Sequence, residues 1–220
     1  MDISAYLCSY MKSIIPPFKP ISILSLFFKG LTWTLPNTEN KIYLTFDDGP
    51  IPEVTPWVLD VLKAKGIKAT FFCVGANVQK HPDIYARILE EGHGVGNHTQ
   101  NHLSGWKAAN DVYFQEIDEA AQYIDSNLFR PPYGRISPAQ YRQIKDRYRV
   151  IMWDTLSKDY DASLSSEQVY QNATSGVKSG SILVFHDSLK AECHLRDVLE
   201  RVIDELLGRN FVFGVIGESE

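Results

Sequence analysis

From Lys41 onward the apolar residues gather into short runs that alternate with amphipathic stretches. Seven runs read as strands: KIYLTF, KATFFCV, HGVGNH, NLFRPP, YRVIMWD, SILVFHD and FVFGVI. Several are rich in the β-branched and aromatic residues that suit a pleated, half-buried surface. Between them, TPWVLDVLKAKG, HPDIYARILEEG, NDVYFQEIDEAAQYIDS, SPAQYRQIKDR, SSEQVYQNATSGVKSG and CHLRDVLERVIDELLG read as helices. Most begin at Thr, Asn or Ser, and Gly66, Gly92, Gly180 and Gly208 mark four expected ends. Val58, Leu59, Val61 and Leu62 fall on one helical face, as do Val198, Leu199, Val202, Ile203 and Leu206.

Strands alternating with helices predict an α/β fold with a parallel sheet, either doubly wound or curled into a barrel. The polar residues help to choose. Asp47, Asp48, His98, Arg130, Asp154, Asp159 and His186 lie at or just past the C-terminal ends of different strand runs. In a barrel those ends converge on one face, where barrel active sites lie. The expectation is an incomplete (β/α) barrel of about seven parallel strands.

At 220 residues one domain is the simplest reading, large enough to bury a core without disulfides. A net charge of −5 and the lack of any Lys/Arg run argue against nucleic acid as a partner. Cys8, Cys73 and Cys193 are too scattered for a disulfide framework or a CxxC metal pair. Residues 1–40 read as an extension packing on the domain of residues 41–220. Its apolar run Ile21–Phe28 is too short to span a bilayer. A membrane contact through Ile21, Leu24, Phe27, Phe28 and Leu31 is the weaker reading. No cluster of positive charge or small-residue cleavage site marks a secretory signal, so the chain as it stands reads as cytoplasmic.

Candidate chemistry enters with GNHTQNH. His98 and His102 stand four apart, so one helical turn would place both imidazoles on one side. With a carboxylate from elsewhere they make a His, His, Asp set with open positions, the form of catalytic zinc sites. TFDDGP supplies two adjacent acids, Asp47 and Asp48, whose side chains point differently on a chain leaving a strand. One can ligate a metal while the other faces a metal-activated water and takes its proton. FRPPYGR places Arg130, always charged, where it can keep that proton acceptor ionised and oriented. His186 ends the run ILVFH and can give a proton to a leaving amine. Asp154, Asp159 and Asp161 are each candidates to hold its other ring nitrogen.

The order TFDDGP, HTxxH, RPPYG, an Asp-plus-aromatic pair, and an apolar run ending in His closely resembles the polysaccharide deacetylases, carbohydrate esterase family four. The resemblance covers Lys41 to about Ser188 and implies a distorted (β/α) barrel with a divalent metal. Zinc is the usual ion, with cobalt, manganese or nickel as substitutes. It implies removal of N- or O-linked acetyl groups from an oligo- or polysaccharide such as chitooligosaccharide or peptidoglycan. Carried over position by position, Asp47 is the general base, and Asp48, His98 and His102 are the metal ligands. Arg130 orients Asp47, the backbone N–H of Tyr133 helps to hold the oxyanion, and His186 is the general acid tuned by Asp159. Tyr160 stands where the family has Trp, and Val184 where Leu is common, in the pocket for the acetyl methyl group. Asp154 has no family role. The family is often exported.

Other readings compete. A His, His, Asp set also serves non-haem iron oxygenases, which need neither a second Asp nor a His acid. An inactive sugar-binding barrel, or a deacylase acting on a lipid-linked amino sugar or a small amide, completes the alternatives. Trp106, in the loop after the histidines, reads first as a packing residue and second as a platform for a sugar ring. A monomer is expected.

Overall fold

The protein is described by a computed structural model over residues 30–217. Its first strand, β1 (Lys41–Asp47), is buried along nearly its whole length. Strand alternation sends Ile42, Leu44 and Phe46 to one side, where they join the main core beneath the helices. Tyr43, Thr45 and Asp47 therefore face the inside of the curl.

Six further strands build the sheet around β1: β2 (Thr70–Cys73), β3 (Gly94–Asn97), β4 (Leu128–Phe129), β5 (Arg149–Val150), β6 (Thr155–Leu156) and β7 (Ile182–His186). Their order is β5-β4-β3-β2-β1-β7-β6, and every pairing is parallel. A short β8 (Val212–Phe213) pairs parallel with Lys41 and Ile42. The sheet curls into a half-barrel, the distorted and incomplete (β/α) barrel that the pattern predicts. Residues 32–35 link the β5 edge to the start of β7. Thr32 bridges Ile151 beyond β5, and Thr34 bridges Ser181 just ahead of β7.

The covering helices are α1 (Thr55–Lys65), α2 (Gly75–Lys80), α3 (Pro82–Glu90), α4 (Asn110–Ala120), α5 (Pro138–Ile144), α6 (Ser166–Thr174) and α7 (Glu192–Gly208). Helix α7 buries Leu195, Val198, Leu199, Val202, Ile203 and Leu206. Each such side chain stabilises the fold by about 1.5–3 kcal/mol. Ser137 and Ser165 start α5 and α6 with reciprocal capping boxes to Gln140 and Gln168. Gly66 ends α1 in the left-handed conformation, φ 66°.

Each predicted strand run contains a strand, but β6 and α2 are additional. β6 is two residues long and lies in a stretch with little apolar character. It is held by register, Thr155 against Leu183 and Leu156 against Val184. One expected helix end is displaced: α7 ends at Gly208 as expected, but Gly180 lies beyond α6, in the turn that leads into β7. The run Ile21–Phe28 lies outside the described residues. Among those described, no helix is long and apolar enough to cross a membrane. Cys73 is buried and Cys193 exposed, both as free thiols.

Candidate active site

The register that aligns β1 with its neighbours sets Asp47 opposite His186 on β7 and Phe72 on β2. Two ionisable side chains are thereby brought to one inner face at the C-terminal end of the sheet. Asp47 is buried and accepts a 2.6 Å hydrogen bond from Nη1 of Arg130, which is also buried. The same nitrogen donates to Oγ1 of Thr45, and the other guanidinium nitrogens donate to the carbonyls of Ile151 and Met152. The guanidinium lies 4.0 Å from the centre of the Phe72 ring. Burial alone would raise the Asp47 pKa. The Arg130 charge, with lesser help from His98 and His186, outweighs it and holds the carboxyl below the ordinary Asp range.

Asp48 leaves the strand with φ 88°, a left-handed conformation, and its carboxylate lies by His98 and His102 while that of Asp47 pairs with Arg130. Asp187 maintains this turn. Its Oδ1 accepts from the Gly49 amide at 3.0 Å and its Oδ2 from Thr55 Oγ1 at 2.6 Å, while its own amide donates to the Asp47 carbonyl. A methyl group on Gly49 would fall 2.0 Å from the Asp187 carboxylate, so only glycine allows this approach. Burial, together with the Asp48 charge, raises the Asp187 pKa to about 8, against the opposing pull of its two donors.

His98 and His102 do converge, with ring centroids 4.9 Å apart, but not through a helical turn. The loop from His98 to His102 is irregular, and Thr99 and His102 both have positive φ, 65° and 57°. The buried Asn97 imposes this shape. Its Oδ1 accepts from the Thr99 amide, and its Nδ2 donates to the Ile117 carbonyl. Thr99 Oγ1 in turn accepts from the Leu103 amide. Among the described residues seven non-glycine positions have positive φ, and four of them (Asp48, Thr99, His102 and Tyr133) surround this site. Such backbone persists only where the surroundings enforce it.

Nδ1 of His98 lies 2.7 Å from the Arg130 carbonyl, to which it donates, so Nε2 keeps its lone pair. Burial drives the His98 pKa down to about 4, which keeps the ring neutral at pH 7. Nε2 of His102 and of His98 lie 3.3 and 3.9 Å from Asp48 Oδ1. One donor atom from each of the three residues lies within 4.8 Å of the others. Asp48 Oδ1 is itself buried without a hydrogen-bond partner among the described residues. It faces two imidazole nitrogens, and a divalent cation would satisfy it. The three residues fit a metal.

Across the cleft, Nδ1 of His186 pairs with Oδ1 of Asp159 at 2.7 Å, and Oδ2 of Asp159 accepts the His186 amide. Burial opposes the imidazolium, but Asp159, with Asp48 and Asp47 beyond it, raises the His186 pKa to about 9. Of the three candidate acids, Asp159 thus holds the ring. Asp154 instead anchors the start of β7, through Ser181 Oγ and the Ile182 amide, and Asp161 accepts from Ser163. The cleft has a volume of about 530 Å³, and its walls include Tyr133, Tyr160 and Val184. Tyr160 meets the His186 ring edge-on at 4.9 Å, and Tyr133 packs on His102 at 4.7 Å. Trp153, Leu156, Arg135 and Lys190 also line it; Arg135 closes the FRPPYGR stretch, but none of the four stands among the candidate site residues of the sequence. Trp106 is 67% exposed and stands beside Arg135 rather than in the core.

The family model described as "Polysaccharide deacetylase" matches residues 34–150, more than half of the chain. The chain belongs to the polysaccharide deacetylases. Among its relatives, a peptidoglycan-N-acetylglucosamine deacetylase of Bacillus cereus is 33% identical over 195 residues, covering 86% of this chain and 92% of that protein. Chitin deacetylase 2 of Saccharomyces cerevisiae is 31% identical over 182 residues, 76% of this chain and 57% of that protein. The solved structure of the Bc1960 peptidoglycan N-acetylglucosamine deacetylase with a bound benzamide superimposes with a TM-score of 0.81 at 30% identity. It covers 88% of this chain and 94% of that one. Polysaccharide deacetylases are carbohydrate deacetylases that use a divalent metal, and the Asp48, His98 and His102 cluster of this member can bind one.

Proposed function

We propose that this polysaccharide deacetylase is a zinc-dependent hydrolase that removes acetyl groups, chiefly N-linked, from an oligo- or polysaccharide such as chitooligosaccharide or peptidoglycan. The observation that carries the reading is the unsatisfied Asp48 oxygen converging with two imidazoles, between the Arg130-held Asp47 and the Asp159-held His186.

Asp48, His98 and His102 would hold the cation. When bound, it supplies Lewis-acid polarisation of the acetyl carbonyl and of the attacking water. Asp47 is the general base. Its lowered pKa keeps it ionised, and the Arg130 bond points it into the cleft. It takes a proton from the water as the water oxygen adds to the acetyl carbon. The backbone N–H of Tyr133, at the left-handed turn of RPPYG, is the donor assigned to the oxyanion. His186 carries a proton at neutral pH and lines the cleft beside Asp47, its register partner on the adjacent strand. As the C–N bond breaks, it protonates the departing amine, leaving acetate and a free amino sugar. Asp159 acts through His186 as a positioning residue. Tyr160 and Val184 border the space for the acetyl methyl, where the Tyr160 hydroxyl makes the wall more polar than an apolar ring would.

The test is acetate release from chitooligosaccharides, peptidoglycan fragments and acetylxylan, by chelated and by zinc-restored protein. Release that needs zinc supports the reading and ranks the substrates. Absence of release from every acetylated glycan, with zinc bound, overturns it.

A further inference from the structure

Two lines of contact run outward from the candidate metal site, one along each wall of the cleft. On one wall Tyr133 packs on His102, and the Arg135 guanidinium stands 5.8 Å from the Tyr133 ring and 5.4 Å from that of Trp106. On the other, Tyr160 packs on His186, and Lys190 Nζ stands 5.3 Å from the Tyr160 ring. Each line therefore ends in a cation held against an aromatic face, and both cations line the cleft.

The protein is acidic, with 27 Asp and Glu against 22 Lys and Arg. Among the other described cations held over aromatic rings, Arg130, Arg147, Arg196 and Arg201 are in ion pairs, and Arg209 donates to the carbonyls of Thr174 and Val177. Among the described residues Arg135 and Lys190 have no carboxylate within ion-pair distance, although Asp161 lies close enough to feel the Lys190 charge. An aromatic face steadies a cation without neutralising it. The acids of the cleft, Asp47 and Asp48, lie on its floor, where Arg130 and the cation site occupy them. The rims are thus positive, and Trp106 and Tyr133, exposed by 67% and 61%, offer flat apolar faces beside Arg135.

From this arrangement we infer that the cleft is built for a glycan carrying a carboxylate on a sugar next to the one that loses its acetyl group. Arg135 and Lys190 are the residues that select it. The inference rests on the deacetylase reading and narrows it to anionic glycans. The carboxylate chemistry is shared by a lactyl-bearing amino sugar and a uronic acid. The planar guanidinium of Arg135 can take it bidentately, while Trp106 stacks on the ring that bears it.

The experiment compares kcat/KM of the zinc-loaded protein on matched pairs of substrates. One pair is an oligomer of N-acetylglucosamine and N-acetylmuramic acid with its carboxylates free or methyl-esterified. The other is an oligomer of N-acetylglucosamine and glucuronic acid, again free or esterified. The free acid should be preferred over its ester by about tenfold or more in at least one pair, as suits a charge-assisted contact. That pair identifies the source of the carboxylate. The preference should shrink in R135Q and in K190Q and approach unity in the double variant. A ratio near one in the parent, or a ratio that the double variant keeps, overturns the inference. Calorimetric binding of the same oligomers provides a readout that does not need turnover. If no glycan yields acetate, the deacetylase reading fails. The subsite then stands or falls on whether the parent binds acid over ester and the double variant does not.

Discussion

The Arg130 side chain donates to the Asp47 carboxylate at 2.6 Å while both are buried, and the Arg130 carbonyl accepts Nδ1–H of His98. One residue therefore orients two parts of the site at once, the candidate base through its guanidinium and a candidate metal ligand through its main chain. Removing the guanidinium leaves Asp47 buried and unpaired. R130M should lower stability by about 3–5 kcal/mol, measured as urea unfolding. R130K should also fail to restore function, because an ammonium cannot make the contacts to Thr45, Asp47, Ile151 and Met152 together. In either variant that folds, the acid limb of acetate release should move to higher pH.

Asp187 is predicted to matter for the metal without touching it. It holds the Gly49 amide and Thr55, and so fixes the turn that presents Asp48. D187A should weaken zinc binding by about 10–100-fold, the range for residues that support metal ligands. Competition with a chromophoric chelator reads this directly. Zinc affinity equal to the parent's would show that the Asp48 turn does not depend on Asp187.

The His186–Asp159 pair sets the alkaline side of the pH profile. A general acid works only while protonated, so the rate falls as pH rises through its pKa, about 9 here before a cation at the site lowers it. D159N removes the charge that raises this pKa, and the alkaline limb should move to lower pH. An unmoved limb with a lower plateau would assign Asp159 a purely structural part.

His93 offers a prediction about stability far from the cleft. It is buried, and its Nδ1 accepts from the Ala69 amide, so the ring is neutral with its proton on Nε2. Burial, aided by Lys68, lowers its pKa to about 4. Between about pH 6.5 and 4 the unfolded chain binds a proton that the folded protein refuses. Stability due to this group is therefore complete above 6.5 and lost as pH falls through that window, by up to about 3 kcal/mol. H93Q should flatten this part of the pH–stability curve. An unchanged slope would place the acid sensitivity elsewhere.

Much of this was legible in the chain, and the rest was hidden for definable reasons. The strands and Asp47, Asp48, His98, Arg130 and His186 stand at abrupt changes from apolar to polar, which local pattern reveals. The two-residue β6 has no apolar run, because Asp154 and the register with β7 define it rather than its own sequence. Helix α2 is only six residues long and follows directly on β2. The spacing of His98 and His102 suggested a helical turn, but Asn97 bends that segment through two left-handed residues. A buried Asn ahead of the first histidine was the available signal. The contacts of Asp187 with Gly49 and of Arg135 with Trp106 join residues far apart in sequence, and only the fold shows them.

The most direct test sets zinc content beside acetate release in D47N and D48N, each compared with the parent. The division of labour between the adjacent acids predicts that D47N keeps its zinc and loses roughly 10²–10⁴-fold in rate. D48N should lose the metal itself. Loss of zinc from D47N, or near-parental acetate release by it, would contradict the assignment of base and ligand on which the account rests.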